Sequence, residues 1–337
     1  AKGAPSAIPH ATLDGHSEGV DAANAYCNRG LARYEVGDLE AAISDLGQVL
    51  NLRPEDATAH YQRGRAWHDL GEIETAIADY DRSLALNPRD EVALHYRAQA
   101  HLAQNNPEAA IEDYAAVLAL NPEDAGASQG RGHAYHLAGN LKAAVADYDR
   151  AIDLYPEGPQ RAVVLALRGR AQVERERLNE AIADCDRALA FHGEAVVMDP
   201  PGDALDNRAA AIAHHARGRA YHARGALQEA LADYGRALEL YAEEWRNEDR
   251  VPGADVAVLY YDRARAHFVR GDLDMSVSDY DLAVDRFPDS VPSTVAGYLR
   301  QAKPFGVGKG MIHVGRGDAH AALAELEAAV ADYDRAI

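Results

Sequence analysis

The 337 residues carry a formal net charge of −20 at pH 7, with 34 Lys and Arg against 54 Asp and Glu. That balance argues against a nucleic-acid backbone or an anionic membrane surface as the main partner. No apolar span is long enough for a membrane helix, so membrane insertion is not expected.

In chain order, residues 1–22 mix Gly, Pro, Ser and His with little periodicity and read as a flexible arm. From Ala23 the chain repeats every 34 residues. Four units run without a gap, at 23–56, 57–90, 91–124 and 125–158. Four more follow at 162–195, 211–244, 257–290 and, shortened, 310–337. Such a period marks a repeat array. The chain thus divides into the arm 1–22, four regular repeats over 23–158, and four repeats over 159–337 continuous with them. The longer insertions fall at 196–210, 245–256 and 291–309. Met198-Asp199-Pro200-Pro201-Gly202-Asp203 is a loop signal, with Asp203 or Asp206 able to cap a lengthened helix running toward Arg217. Leu240 to Asn247 reads as a helix extension carrying Trp245, and 291–309 as the most loop-like stretch.

Within a unit, position 8 is Gly or Ala and position 20 is almost always Ala. Position 24 is usually Tyr, as in Tyr80, Tyr114, Tyr148 and Tyr234. Small residues let two helices approach, and the aromatic ring fills the space beside them. Gly at position 15, for example Gly71 and Gly139, supplies a left-handed helix end. Asp or Glu often follows, where a helix start favours negative charge. Pro at position 32 closes the second helix. The three- and four-residue apolar spacing of Ile73, Ala76, Ile77, Tyr80 and Leu84 is helical. Each unit is therefore predicted to be a hairpin of two helices of about fourteen residues, about 20 Å each. One hairpin cannot bury its own apolar face, so units stack.

This order of small residue, aromatic, Ala and Pro resembles the tetratricopeptide repeat family, in a form similar to a bacterial variant with Arg at position 7. The resemblance covers 23–337. It departs where Tyr26, His60, Leu94 and Ser128 stand in place of an early Trp, and where Cys185 takes a Tyr position. It implies an all-α fold, a right-handed superhelical solenoid of eight antiparallel helix hairpins, serving as a non-catalytic protein-protein interaction scaffold.

Arg at position 7 and Asp at position 23 recur in all eight units, Arg63 with Asp79 and Arg131 with Asp147 among them. They fall at similar heights on facing helices, so an ion pair is expected in each repeat or between neighbours, as a structural ladder.

By the resemblance, the first helices line a concave groove. Its positions hold Arg65, Arg219, Arg265, His68, His136, His222, Tyr61 and Tyr261. An Arg, His and aromatic face suits an acidic or extended peptide segment. Arg65 has Asp69 four residues on, and Arg170 has Glu174, so these two could be simple helix-surface pairs. Arg219 and Arg265 lack such neighbours and are the better ligand candidates. The family's clamp for chaperone tails is not expected, because Cys27 and Leu31 occupy its places.

Cys27 reads as groove-facing and Cys185 as core, with no zinc spacing or disulfide framework. The 15 His, including His133, His136, His214 and His215, read as scattered helix-surface residues rather than metal ligands. Gly306-Val307-Gly308-Lys309-Gly310 lacks P-loop spacing. No cofactor, metal or catalytic centre is expected. The alternative function is structural: Leu326, Val330, Tyr333 and Ile337 form an apolar stripe on the last helix, which would let copies join head to tail into a filament or ring. The compartment is left open, cytoplasmic or secreted.

Overall fold

The computed structural model describes residues 14–198, 204–244, 253–287 and 308–337. Among them no strand occurs, and the chain forms paired helices. The first pairs are α1 (Asp14–Glu35) with α2 (Leu39–Leu52), α3 (Ala57–Leu70) with α4 (Ile73–Leu86), and α5 (Glu91–Ala103) with α6 (Pro107–Leu120). Next come α7 (Ala125–Leu137) with α8 (Leu141–Leu154), and α9 (Pro159–Glu174) with α10 (Leu178–Met198). They are followed by α11 (Ala204–Ala223) with α12 (Leu227–Glu244), α13 (Gly253–Arg270) with α14 (Leu273–Arg286), and α15 (Lys309–Ala322) with α16 (Leu326–Ala336).

The described residues divide into two compact units. One runs to Gln104 and takes in Glu112–Leu120; the other comprises Asn105–Ile111 and everything from Asn121. In the first unit α1 to α5 pack each on the next, and in the second α7 to α16 do the same. The hairpin array expected from the repeats is therefore present in each unit. Helices α8 and α9 pack directly on each other within the second unit, across position 158.

Small-for-large packing sets the spacing inside a hairpin. A Cβ placed on Gly64 would meet the Tyr80 ring at 2.8 Å, and one on Gly132 would meet the Tyr148 ring at 2.9 Å. Both rings are fully buried. In the fifth hairpin Cys185 replaces the ring, and its Sγ would lie 2.8 Å from a Cβ on Gly169.

The turns follow one rule with varied residues. Gly71 closes α3 with φ +91°, while Glu72 N–H donates to the Trp67 carbonyl at 2.9 Å. Position 15 is left-handed even without Gly: Asn105, Glu176 and Ala324 take φ of 60°, 60° and 63°. Hairpin closure imposes that conformation over side-chain preference, at a cost of about 1–2 kcal/mol for an ordinary residue. Asp56, Asp90 and Asp124 cap the following helices, their carboxylates accepting from backbone N–H groups.

Several boundaries differ from the sequence reading. Helix α1 already begins at Asp14, so only 1–13 remain of the arm, and those lie outside the described residues. The insertion at 196–210 is mostly helical: α10 continues to Met198, and α11 starts at Ala204, with Asp206 inside it. Asp203 lies outside the described residues. The early start of α11 buries Ala209, Ala210, Ala211 and Ala213. It also sets α11 against both α9 and α10, which the small Ala side chains permit. Likewise α13 begins at Gly253 and α15 at Lys309. Helices α9 to α13 run 16 to 21 residues, longer than the predicted fourteen. Trp245 lies outside the described residues.

Candidate interaction surface on the first helices

The ladder positions form one motif eight times. In each hairpin the Arg donates Nε to one carboxylate oxygen and Nη2 to the other, at 2.5–2.9 Å. The Asp residues are 2–7% exposed. A planar fork fits a carboxylate this way, and burial strengthens the charge-assisted bonds. Burial would raise Asp233, but Arg217 and His214 hold it below the usual carboxylate range; Arg29 holds Asp45 below it as well.

A second contact links consecutive hairpins. The free Nη1 of Arg97, Arg168, Arg217 and Arg316 reaches Asp81, Asp149, Asp186 and Asp281 of the hairpin before, at 2.6–2.7 Å. These acceptors share position 25. Where that position is Gly47 or Gly235, the next Arg instead binds its own Asp and no other carboxylate among the described residues, and Arg263 lies 5.4 Å from the Tyr260 ring.

Much of the His content also belongs to the ladder, which corrects the surface reading. At position 4, His60, His214 and His313 place Nδ1 at 3.3, 2.8 and 3.3 Å from Asp79, Asp233 and Asp332. At position 11, His101, His267 and His320 place Nε2 at 3.9, 3.8 and 3.7 Å from Asp113, Asp279 and Asp332. The periodicity of these His was visible in the sequence and would have identified them. Among the described residues no group of three His, Cys, Asp or Glu is arranged to hold a metal.

In the first unit Arg65 is not presented to solvent as a ligand group. Its guanidinium lies 4.6, 4.9 and 5.8 Å from the ring centroids of Tyr34, Tyr96 and Tyr61. It donates to the Tyr34 hydroxyl at 3.2 Å and to the Tyr61 hydroxyl at 3.4 Å. Asp69 is reached indirectly, because it accepts from the Tyr34 hydroxyl and sits beside His68 Nδ1, at 3.3 Å. The simple Arg65–Asp69 pair is therefore replaced by a relay through Tyr34. Cys27 is half-buried, its thiol 3.8 Å from Gln62 Oε1.

In the second unit the candidates separate. His136 is buried and donates Nε2–H to Glu174 at 3.0 Å. Burial pushes His136 down, against the pull of Glu174. Burial would raise Glu174, but the His136 N–H and the nearby Arg170 and Arg219 hold it low. Arg219 lies 3.5 Å from Asp262, which also pairs with His215 at 2.9 Å. That is a partner the local spacing could not show. His222 is pushed down by burial and by Arg265. Arg265 is exposed, lies 5.7 Å from the Tyr261 ring, and makes no ion pair among the described residues. On α16, Leu326, Val330 and Ile337 are exposed, and half-buried Tyr333 donates to Asp318 at 2.9 Å.

His133 is pushed to about 3, first by burial and then by Arg170, His136 and Arg208. An unfolded His titrates near about 6.5. Below that pH the unfolded chain binds a proton that the folded chain refuses, so stability should fall as pH drops from about 6.5 toward 3. Urea midpoints at pH 7, 6 and 5 should decline less steeply for His133→Gln than for the native chain. An identical slope would show that His133 contributes nothing to it.

A family model described as tetratricopeptide repeat matches residues 27–91 and 97–159. A solved tetratricopeptide repeat protein from Parabacteroides merdae ATCC 43184 is 16% identical over 92% of this chain and 99% of its own, with a TM-score of 0.57. That likeness shows the fold alone. MamA 41-end from Desulfovibrio magneticus RS-1 is 24% identical over 52% of this chain and 97% of its own, with a TM-score of 0.49. No curated protein matches the chain. Among the described residues no helix is long and apolar enough to cross a membrane.

Proposed function

From the tetratricopeptide repeat match over residues 27–91 and 97–159 and the paired-helix fold, we propose that the chain is a non-catalytic scaffold that holds an extended segment of a protein partner against its first helices. The eight buried ladder carboxylates are each committed to a guanidinium, so none is set up as a general acid or base. What carries the reading is the pre-ordered first-helix face. Its polar side chains are fixed by contacts between hairpins, as in His136 to Glu174 and His215 to Asp262. A surface whose rotamers are already set loses less entropy on binding.

Panning a random peptide library on the immobilised chain tests this. Selected peptides carrying a photo-crosslinker should bind saturably and label residues of the first helices. Labelling confined to second helices such as α12, or no enrichment at all, would refute the scaffold reading.

A further inference from the structure

The first-helix face changes character at its last two hairpins. Between α13 and α15 lies a cleft of about 340 Å³. Its floor is Tyr261 and Tyr280, both nearly buried. Gly315 lets α15 lie close over that floor, since a Cβ there would sit 2.5 Å from the Tyr280 hydroxyl oxygen. Its walls are apolar and yet wet: Phe268 is 36% exposed, Met311 45% and Val314 44%. Three large apolar side chains around one concavity form a docking surface for another apolar group.

Two charged groups rim the same cleft, and they differ in commitment. The Arg265 guanidinium lies 5.7 Å from the Tyr261 ring centroid and makes no ion pair among the described residues. A guanidinium without a carboxylate partner can offer its planar N–H fork to one. Asp318 has one oxygen occupied, Oδ1 accepting from the Tyr333 hydroxyl at 2.9 Å. Its other oxygen can accept an N–H. An apolar pocket between an uncommitted cation and a half-committed anion matches a peptide, which brings an apolar side chain, a carboxylate and backbone N–H groups together. The net charge of −20 repels acidic segments at long range, but salt screens that beyond about 10 Å at 0.1 M, and the contact at Arg265 is local.

We propose that this cleft binds an internal, extended peptide segment in which a bulky apolar side chain neighbours an acidic one. The apolar side chain lies among Phe268, Met311 and Val314, the carboxylate on Arg265, and a backbone N–H on Asp318. This rests on the scaffold reading and names its ligand.

The chain has three Met, so a methyl-labelled spectrum is simple to read. Met311 is in the cleft, whereas Met275 lies on α14 away from its lining, and Met198 serves as a further reference. The probes are acetylated and amidated octapeptides with a central Phe-Glu, Phe-Gln or Ala-Glu pair, and one ending in Phe with a free carboxylate. Phe-Glu should move the Met311 methyl saturably and leave Met275 and Met198 in place. Phe-Gln should bind about tenfold more weakly, and Ala-Glu should not reach saturation. Arg265→Gln should make Phe-Glu and Phe-Gln equivalent without changing the melting temperature. A Met311 signal that no peptide moves, or equal affinities for Phe-Glu and Phe-Gln on the native chain, would overturn the proposal. Tightest binding by the free-carboxylate peptide would assign Arg265 to a chain terminus and overturn the internal segment. Library peptides that label other first helices while Met311 stays fixed would keep the scaffold and remove this ligand.

Discussion

Replacing Asp147 by Ala should destabilise the chain by about 3 kcal/mol, and replacing Asp149 by Ala by less than about 1 kcal/mol. The two residues are neighbours on α8, and both touch an Arg. Asp147 accepts two bonds of 2.7 Å from Arg131 and is buried. Removing it strands a guanidinium whose side chain is only 20% exposed. Breaking one side of a buried pair costs about 3–5 kcal/mol, and the partial exposure of Arg131 puts this case at the lower end. Asp149 accepts one bond from Arg168, at 2.6 Å, but its side chain is 54% exposed, and Arg168 keeps Asp184 when Asp149 is lost. Urea unfolding of the two variants measures the difference. Equal shifts would mean that the ladder carboxylates are no more than surface charges. A double change, Arg131→Met with Asp147→Leu, should recover most of the loss, because an apolar pair of similar volume leaves no buried charge behind.

Features that recur from unit to unit were legible, because one steric or electrostatic requirement wrote the same or similar residues again and again. Gly64 and Tyr80 are an example: the ring occupies the space a Cβ would need, so composition at both positions is constrained together. The Arg–Asp positions were legible for the same reason. Features that occur once were not. Asp262 has no counterpart at its position in the other units, and its partners His215 and Arg219 lie 47 and 43 residues away, so no period points to it. The same holds for Arg65, whose surroundings draw one Tyr from each of α1, α3 and α5. The pattern identifies a face, but which of its cations are already committed depends on contacts between hairpins. The left-handed turns at Asn105, Glu176 and Ala324 escaped for a different reason, since the closed hairpin decides that backbone against residue preference.

Tyr80→Ala should be the most damaging single change in the first unit, costing about 3–5 kcal/mol, whereas Tyr80→Phe should leave stability unchanged or raise it by up to about 1 kcal/mol. The ring is fully buried and packs edge-on into the space left by Gly64. It also stacks on Tyr96, with centroids 6.4 Å apart and planes 25° from parallel. Its hydroxyl is buried and has no hydrogen-bond partner among the described residues. The hydroxyl therefore gains nothing that would offset its lost hydration, while the ring fills a volume the helices cannot close on their own. Truncation should also reach the first-helix face, because Tyr96 is one of the three rings around Arg65. Trp67 packs against the same cluster and reports on it through its fluorescence. Tyr80→Ala should shift the Trp emission and lower the urea midpoint together, and Tyr80→Phe should do neither. A Phe variant as unstable as the Ala variant would place the importance in the hydroxyl, and the small-for-aromatic packing that spaces each hairpin would no longer explain why the ring is there.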